Sequence, residues 1–86
     1  MASVEARIIL AVMRRDVREK DMADGRWAVG PMRLEVDMDP DEYEKALGEL
    51  QALELIDYES AEVMVLTDRG REAMADAGLY NRLMGI

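Results

Sequence analysis

Residues 39–67 are the most informative part of the chain and read DPDEYEKALGELQALELIDYESAEVMVLT. They open on a helix start, because Asp39 can cap a helix, Pro40 suits its first position and Glu42 completes a capping box. From there to about Leu53, the apolar residues fall within an arc of ~120° at about 100° per residue, which predicts an amphipathic helix. Its buried side is expected to consist of Tyr43, Ala46, Leu47, Leu50 and Leu53.

The second half of this stretch changes to the alternating pattern of β-strands. Residues 55–59 (LIDYE) alternate between apolar and polar from Ile56 onwards, and residues 63–66 (VMVL) form a second short run typical of a strand, with Ser60, Ala61 and Glu62 between them. Two short strands joined by a tight turn predict a β-hairpin.

One more helix is predicted after the hairpin. Thr67 can cap it, and we expect it to run from Asp68 to Ala77, with Gly78 as a typical helix end. Residues 78–86 would then form an apolar tail.

The chain before residue 39 begins with a predicted helix over residues 3–20, which Ser3 can cap. Its apolar residues cover more than the usual arc of about 100°. They form two adjacent stripes, Val4, Ile8 and Val12 in one and Ala6, Leu10, Met13 and Val17 in the other. A helix that is apolar over so much of its girth either lies in the centre of the core or is shared with a second subunit.

Two short elements are predicted between these helices. The turn signal Asp24-Gly25 precedes a very short strand over residues 26–29. Trp27 could stack on a ligand, but we expect it to cover the edge of the core. Pro31 then opens a helix of at most two turns over residues 31–37. Its candidate core contacts are Met32, Leu34 and Val36, whose alternation also fits a strand.

The composition limits the size and the chemistry of the protein. The 86 residues predict one domain over residues 1–86, with its core at roughly residues 3–77. The absence of Cys and His excludes disulfides, Cys/His zinc sites and Ser–His or Cys–His nucleophiles. Carboxylates are frequent, but no pattern marks a catalytic pair or a complete calcium loop, so we expect no enzymatic activity, metal or cofactor.

The apolar run at residues 8–13 is the longest near the start of the chain and contains only six residues. It is too short to span a membrane and too short for most signal peptides. We therefore expect a soluble cytoplasmic protein.

The negative charge is concentrated in the middle third of the chain. The whole sequence contains 11 Lys and Arg against 19 Asp and Glu, a net charge of −8. Residues 34–62 contain one basic and eleven acidic side chains, whereas residues 1–33 contain seven basic and five acidic ones. Such an asymmetry bears on the choice of partner more than on the fold.

From Trp27 to Met74, the chain resembles the winged helix-turn-helix superfamily, which includes small bacterial and archaeal transcription regulators. One similar piece is the capped helix that starts at Asp39 and leads into Leu55-Ile56. The other is VLTDRGRE at residues 65–72, which resembles the leucine-threonine-x-x-glycine stretch that ends the wing. The resemblance implies an α+β fold of three helices, a short β-hairpin wing and a C-terminal helix. It also implies frequent dimerisation through the outer helices and, often, DNA binding through the third helix.

The expected DNA-contacting elements of this chain are acidic. DNA binding depends on Lys and Arg that neutralise phosphates, and base readout uses Arg, Lys, Asn or Gln. We therefore expect a small regulatory or interaction module that binds a basic protein surface, either as a nucleic-acid mimic or without mimicry. Its partner-binding residues are expected to be Asp41, Glu42, Glu44, Lys45, Glu49, Glu59 and Glu62.

Two further surfaces are predicted. If the chain is instead a DNA-binding transcription regulator, the basic patch available to it is Arg14, Arg15, Arg18, Lys20 and Arg26. The apolar first helix and the apolar tail also predict a homodimer. The residues expected at the dimer interface are Ile8, Ile9, Leu79, Tyr80, Leu83 and Met84.

Overall fold

The computed structural model describes residues 2–20, 22 and 25–86. These residues form a mixed α+β domain with five helices and three strands. In chain order the elements are α1 (Val4–Glu19), β1 (Arg26–Ala28), α2 (Val29–Val36), α3 (Pro40–Ala52), β2 (Ile56–Ser60), β3 (Val63–Leu66), α4 (Asp68–Ala75) and α5 (Ala77–Met84). The predicted turn at Asp24-Gly25 includes Asp24, which lies outside the described residues.

Three helices begin at the caps predicted from the sequence. The side chains of Ser3, Asp39 and Thr67 accept hydrogen bonds from the backbone N–H groups three residues further on, at 3.2, 3.0 and 3.0 Å. Each bond satisfies an N–H group that has no partner within its own helix. The predicted starts of α1, α3 and α4 are therefore confirmed.

The strands form an antiparallel sheet in the order β1-β3-β2. The predicted hairpin is confirmed, since β2 pairs with β3 and the register places Tyr58 opposite Met64. On its other side β3 pairs with β1, where Trp27 is the partner of Met64. Trp27, Met64 and Ile56 are buried, so their side of the sheet faces the helices.

Helix α1 lies at the centre of the core. Ala6, Ile9, Leu10 and Met13 are completely buried, and α1 packs against the apolar side of α3. The predicted stripe of Val4, Ile8 and Val12 on α1 is less buried. Val4 is 57% exposed and Ile8 is 42% exposed.

Helix α2 differs from the prediction in its start and in its buried side. It begins at Val29, so Pro31 is its third residue rather than its first. Met32 is buried, but Leu34 is 71% exposed. Two residues that are two positions apart point about 200° away from each other on a helix, so this short helix cannot bury both.

The segment predicted as an apolar tail forms the separate helix α5. The Asp76 side chain caps it by accepting hydrogen bonds from the N–H groups of Gly78 at 2.8 Å and Leu79 at 3.2 Å. Gly78 therefore lies inside a helix, and the prediction that it ends one is wrong. The helix ends at Gly85, whose φ of +76° favours glycine.

Helix α5 packs against α1 of its own chain. The carbonyl of Leu83 accepts a hydrogen bond from the backbone N–H of Ala2 at 3.2 Å. The carbonyl of Met84 accepts one from the guanidinium of Arg7 at 3.3 Å. The buried side of α5 thus belongs to the core that α1 organises.

Candidate interaction surface

The acidic side of α3 lies on the surface, because the opposite side of this helix packs against α1. Asp41, Glu42, Glu44 and Lys45 are exposed, and Glu49 is half-buried. We call these five residues the acidic α3 surface. It contains four carboxylates and one ammonium group.

Two depressions mark this surface. The first has a volume of about 420 Å³ and separates the start of α1 from α3, with Glu5, Glu42 and Glu49 in its lining. The second has a volume of about 500 Å³ and is lined by Asp41, Glu44 and Lys45. Lys45 is the one basic side chain among the described residues that line the two depressions.

Glu49 already has a structural partner. Its Oε2 atom accepts a hydrogen bond of 2.8 Å from the backbone N–H of Ser3, at the start of α1. A carboxylate at this position also complements the positive end of the α1 dipole. Glu49 therefore fastens α1 to α3, and its carboxylate is less available to a partner than its place in the sequence suggests.

Glu42 and Asp39 lie together at the start of α3, where Asp39 accepts the backbone N–H of Glu42 at 3.0 Å. Interaction with the Asp39 side chain raises the pKa of Glu42, and interaction with the side chain and backbone N–H of Glu42 lowers the pKa of Asp39. The Glu42 carboxyl therefore takes up a proton at a higher pH than an ordinary glutamate.

The hairpin does not extend the acidic α3 surface in the way predicted. Glu59 forms an ion pair of 2.8 Å with Arg26, across β3 on the outer face of the sheet. Glu62 is exposed at the hairpin turn, and its carbonyl accepts a hydrogen bond of 2.9 Å from the N–H of Val29. Arg26 therefore balances the charge of Glu59, whereas the side chain of Glu62 stays exposed.

Tyr58 is an aromatic residue of the hairpin that the sequence analysis did not select. It is 39% exposed. Burial and then the charge of Glu44 on α3 raise the pKa of Tyr58. On α3, Tyr43 donates a 2.7 Å hydrogen bond to the carbonyl of Val29, and burial raises the pKa of Tyr43 to about 12. The alternation in β2 was the only sequence signal for Tyr58.

The five residues of the predicted basic patch do not form a continuous cationic strip. Arg14 stacks on the ring of Tyr80, with its guanidinium carbon 4.1 Å from the ring centroid. Arg15 is bonded to both Asp16 and Glu35, and Lys20 lies 3.5 Å from Asp16. Since Arg26 pairs with Glu59, Arg14 and Arg18 are the members of the patch that form no ion pair with a described residue.

Asp16 is a buried charged residue that the sequence analysis missed. It is 2% exposed, and its carboxylate accepts hydrogen bonds from the indole N–H of Trp27 at 3.0 Å and from Arg15 at 2.9 Å. Burial favours a higher pKa, but the bonds from Trp27 and Arg15, with the charge of Lys20, outweigh it and lower the pKa of Asp16. Trp27 is therefore held in place by its hydrogen bond to Asp16, which agrees with its expected role of covering the edge of the core.

The residues predicted at a dimer interface have different positions. Ile9 is completely buried in the core and Tyr80 is nearly so, which makes both core residues rather than interface residues. Leu79, Leu83 and Met84 are half-buried and pack against the same core. Ile8 is exposed on α1, four residues from Val4.

Within the described ranges, no group of three or more acidic side chains could hold a metal ion. None of the helices given above is long and apolar enough to cross a membrane. No protein-family model, curated protein or solved structure matches this chain.

Proposed function

We propose that this chain is a non-enzymatic regulatory module of the winged-helix type, which binds a basic protein surface through the acidic α3 surface. Two features support the winged-helix assignment. The elements up to α4 follow the order helix, strand, helix, helix, hairpin and helix, with α5 as an additional helix, and the first strand pairs with the last one in the order β1-β3-β2. The helix that such proteins use for recognition would be α3.

The observation that carries the proposal is the set of unpaired carboxylates on α3. Asp41 and Glu44 are exposed and form no ion pair with any Lys or Arg of the described residues. Each would repel a nearby phosphate by on the order of 1 kcal/mol or more at effective dielectric constants of 20 to 80. The same charges attract a cationic protein surface and favour fast association with it.

Tyr58 supports a protein partner in a second way. Tyrosine is enriched among the residues that dominate binding energy at protein interfaces, and its ring can accept a Lys or Arg cation. The exposed ring of Tyr58 therefore offers an aromatic face to a basic partner, and the charge of Glu44 acts on the same residue.

The test uses charge reversal on this surface with a matched control. The variant D41K/E44K is compared with E19K/E72K, which makes the same change in net charge at exposed positions of α1 and α4. We expect wild type and E19K/E72K to retrieve the same basic protein from cells of the source organism, and D41K/E44K to lose it. If nucleic acid bound to that protein is displaced by the chain, the interaction is a mimicry of nucleic acid.

A titration with random duplex DNA tests the alternative of a DNA-binding regulator. We expect no binding below about 10 μM at low salt, because Arg15 and Lys20 are paired with carboxylates and the recognition helix α3 is acidic. Sub-micromolar binding that weakens steeply with salt would contradict the proposal.

We further propose that the chain forms a homodimer through the outer side of α1. Val4 and Ile8 lie one helical turn apart and are both exposed, and Ile86 is 86% exposed. Exposed apolar groups of this kind are typical of association surfaces.

A further inference from the structure

A cavity of about 310 Å³ lies between the second half of α1 and the side of α4 that faces it. Its size is at the lower end of the range of small-molecule sites, about 300–1,000 Å³. The apolar part of its lining includes Val17, Leu66 and Met74. It is separate from the acidic α3 surface, since the two share no lining residue.

Three arginines line this cavity, in a chain with a net charge of −8. Arg14 and Arg18 come from α1, four residues apart, and Arg71 comes from α4. The described lining residues include no carboxylate. Among the described residues, the one ion pair of the three arginines joins Arg71 to Asp68 at 3.1 Å, and Asp68 is fully exposed, so solvent screens this pair. Three like charges that converge on an apolar floor favour an anionic ligand.

Arg14 provides an independent observation. Its Nε atom is buried and has no hydrogen-bond partner among the described residues. The stacking of its guanidinium on Tyr80 holds the side chain in place. A buried donor without an acceptor is unfavourable and uncommon in folded proteins, so an anion that draws the Arg14 guanidinium towards the cavity would relieve this cost.

We propose that this cavity binds a small organic carboxylate with a short apolar chain. The carboxylate would lie among the guanidinium groups of Arg14, Arg18 and Arg71, which match its planar geometry. The apolar chain would lie on Val17, Leu66 and Met74 and remove their surface from water.

The test is a titration of the full chain with each of three probes. Binding is monitored through the NMR chemical shifts of the backbone amides. Hexanoate carries both the charge and the chain, 1-hexanol lacks the charge and acetate lacks the chain. We expect hexanoate to give saturable shifts at Val17, Leu66 and Met74, and the other two probes to bind at least about tenfold more weakly. Equal binding of hexanol and hexanoate would overturn the proposal, as would the absence of saturable shifts up to about 10 mM hexanoate.

Two variants and a control locate the binding site. Arg18→Gln and Arg71→Gln should each weaken hexanoate binding about tenfold, because each removes one charge-assisted contact. Arg69→Gln is the matched control, since it makes the same change on α4 at a residue outside this cavity. Equal weakening by Arg69→Gln and Arg71→Gln would show that only the overall charge matters and would overturn the assignment.

Discussion

Asp16 places a negative charge in the interior of the protein, where it is 2% exposed and its charge must be balanced by contacts within the fold. A buried carboxylate is favourable only when hydrogen bonds and opposite charges surround it. Here Trp27, Arg15 and Lys20 provide those contacts from β1 and from α1 itself. Helix α1 and the sheet are thus joined by a polar contact that requires an ionised side chain.

The replacement Asp16→Asn should lower the free energy of unfolding at pH 7 by about 2 kcal/mol, because it removes charge-assisted bonds and keeps the shape. The folded-state pKa of Asp16 is lowered from an unfolded value of about 3.9. Its stabilising contribution is therefore complete above that value and is lost as the pH falls through the folded-state pKa. Urea unfolding at pH 7 and pH 2.5 measures both effects.

The difference between wild type and Asp16→Asn should shrink at pH 2.5. Asp68→Asn serves as the control, because Asp68 is fully exposed and its loss should change stability by less than about 0.5 kcal/mol. A difference for Asp16→Asn that is the same at both pH values would contradict the role given to the charge.

At the scale of single elements, Gly70 determines how closely α4 approaches the loop before β2. A Cβ atom at Gly70 would lie 2.1 Å from the carbonyl oxygen of Leu55 and 3.0 Å from Leu66 Cδ2. Only a residue without a side chain permits this contact. Close packing between α4 and Leu55 therefore requires a glycine at this position of the stretch at residues 65–72.

Gly70→Ala should destabilise the fold by about 2 kcal/mol or more, since the backbone of α4 or of Leu55 must move. Gly48→Ala is the matched control, because a Cβ atom there meets nothing within 4 Å inside α3. In an exposed helix the change should stabilise by about 0.5–1 kcal/mol. Chemical denaturation of both variants checks the prediction, which fails if the two changes have the same sign.

The elements that could be predicted from sequence are those with local signals. The caps at Ser3, Asp39 and Thr67 are short-range hydrogen bonds, so the starts of α1, α3 and α4 were predictable. The start of α2 at Val29 and the cap at Asp76 were missed, because Pro31 and Gly78 are stronger but misleading signals.

The candidate site was predictable only as a charged helix face. The position of Asp41 and Glu44 follows from helical periodicity, which requires no knowledge of the rest of the fold. The pair Arg26–Glu59 and the contact between Ser3 and Glu49 join residues that are 33 and 46 positions apart. No local pattern contains such contacts, so the division of the acidic residues between α3 and the sheet required the structure.

For the molecule as a whole, the predicted homodimer is opposed by its own charge. Two copies with a net charge of −8 repel each other, and salt screens this repulsion. We therefore expect sedimentation at about 100 μM to show more dimer at 0.5 M than at 0.05 M NaCl.

Ile8→Glu should abolish the dimer. Leu34→Glu should leave it intact, since it makes the same kind of change at an exposed residue of α2. A monomer for wild type at both salt concentrations would rule out the self-association proposed here.

The contact between α1 and α5 has a consequence for biosynthesis. The hydrogen bond from Ala2 to Leu83 closes nearly the whole chain into one loop, and contacts of such sequence separation form late and slowly. On the ribosome, α1 emerges before α5 and waits several seconds for it, given elongation at about 5–20 residues per second. Until then the nascent chain exposes the apolar side of α1 that Tyr80 and its neighbours finally cover, so during synthesis this side is open to contacts that the folded protein excludes.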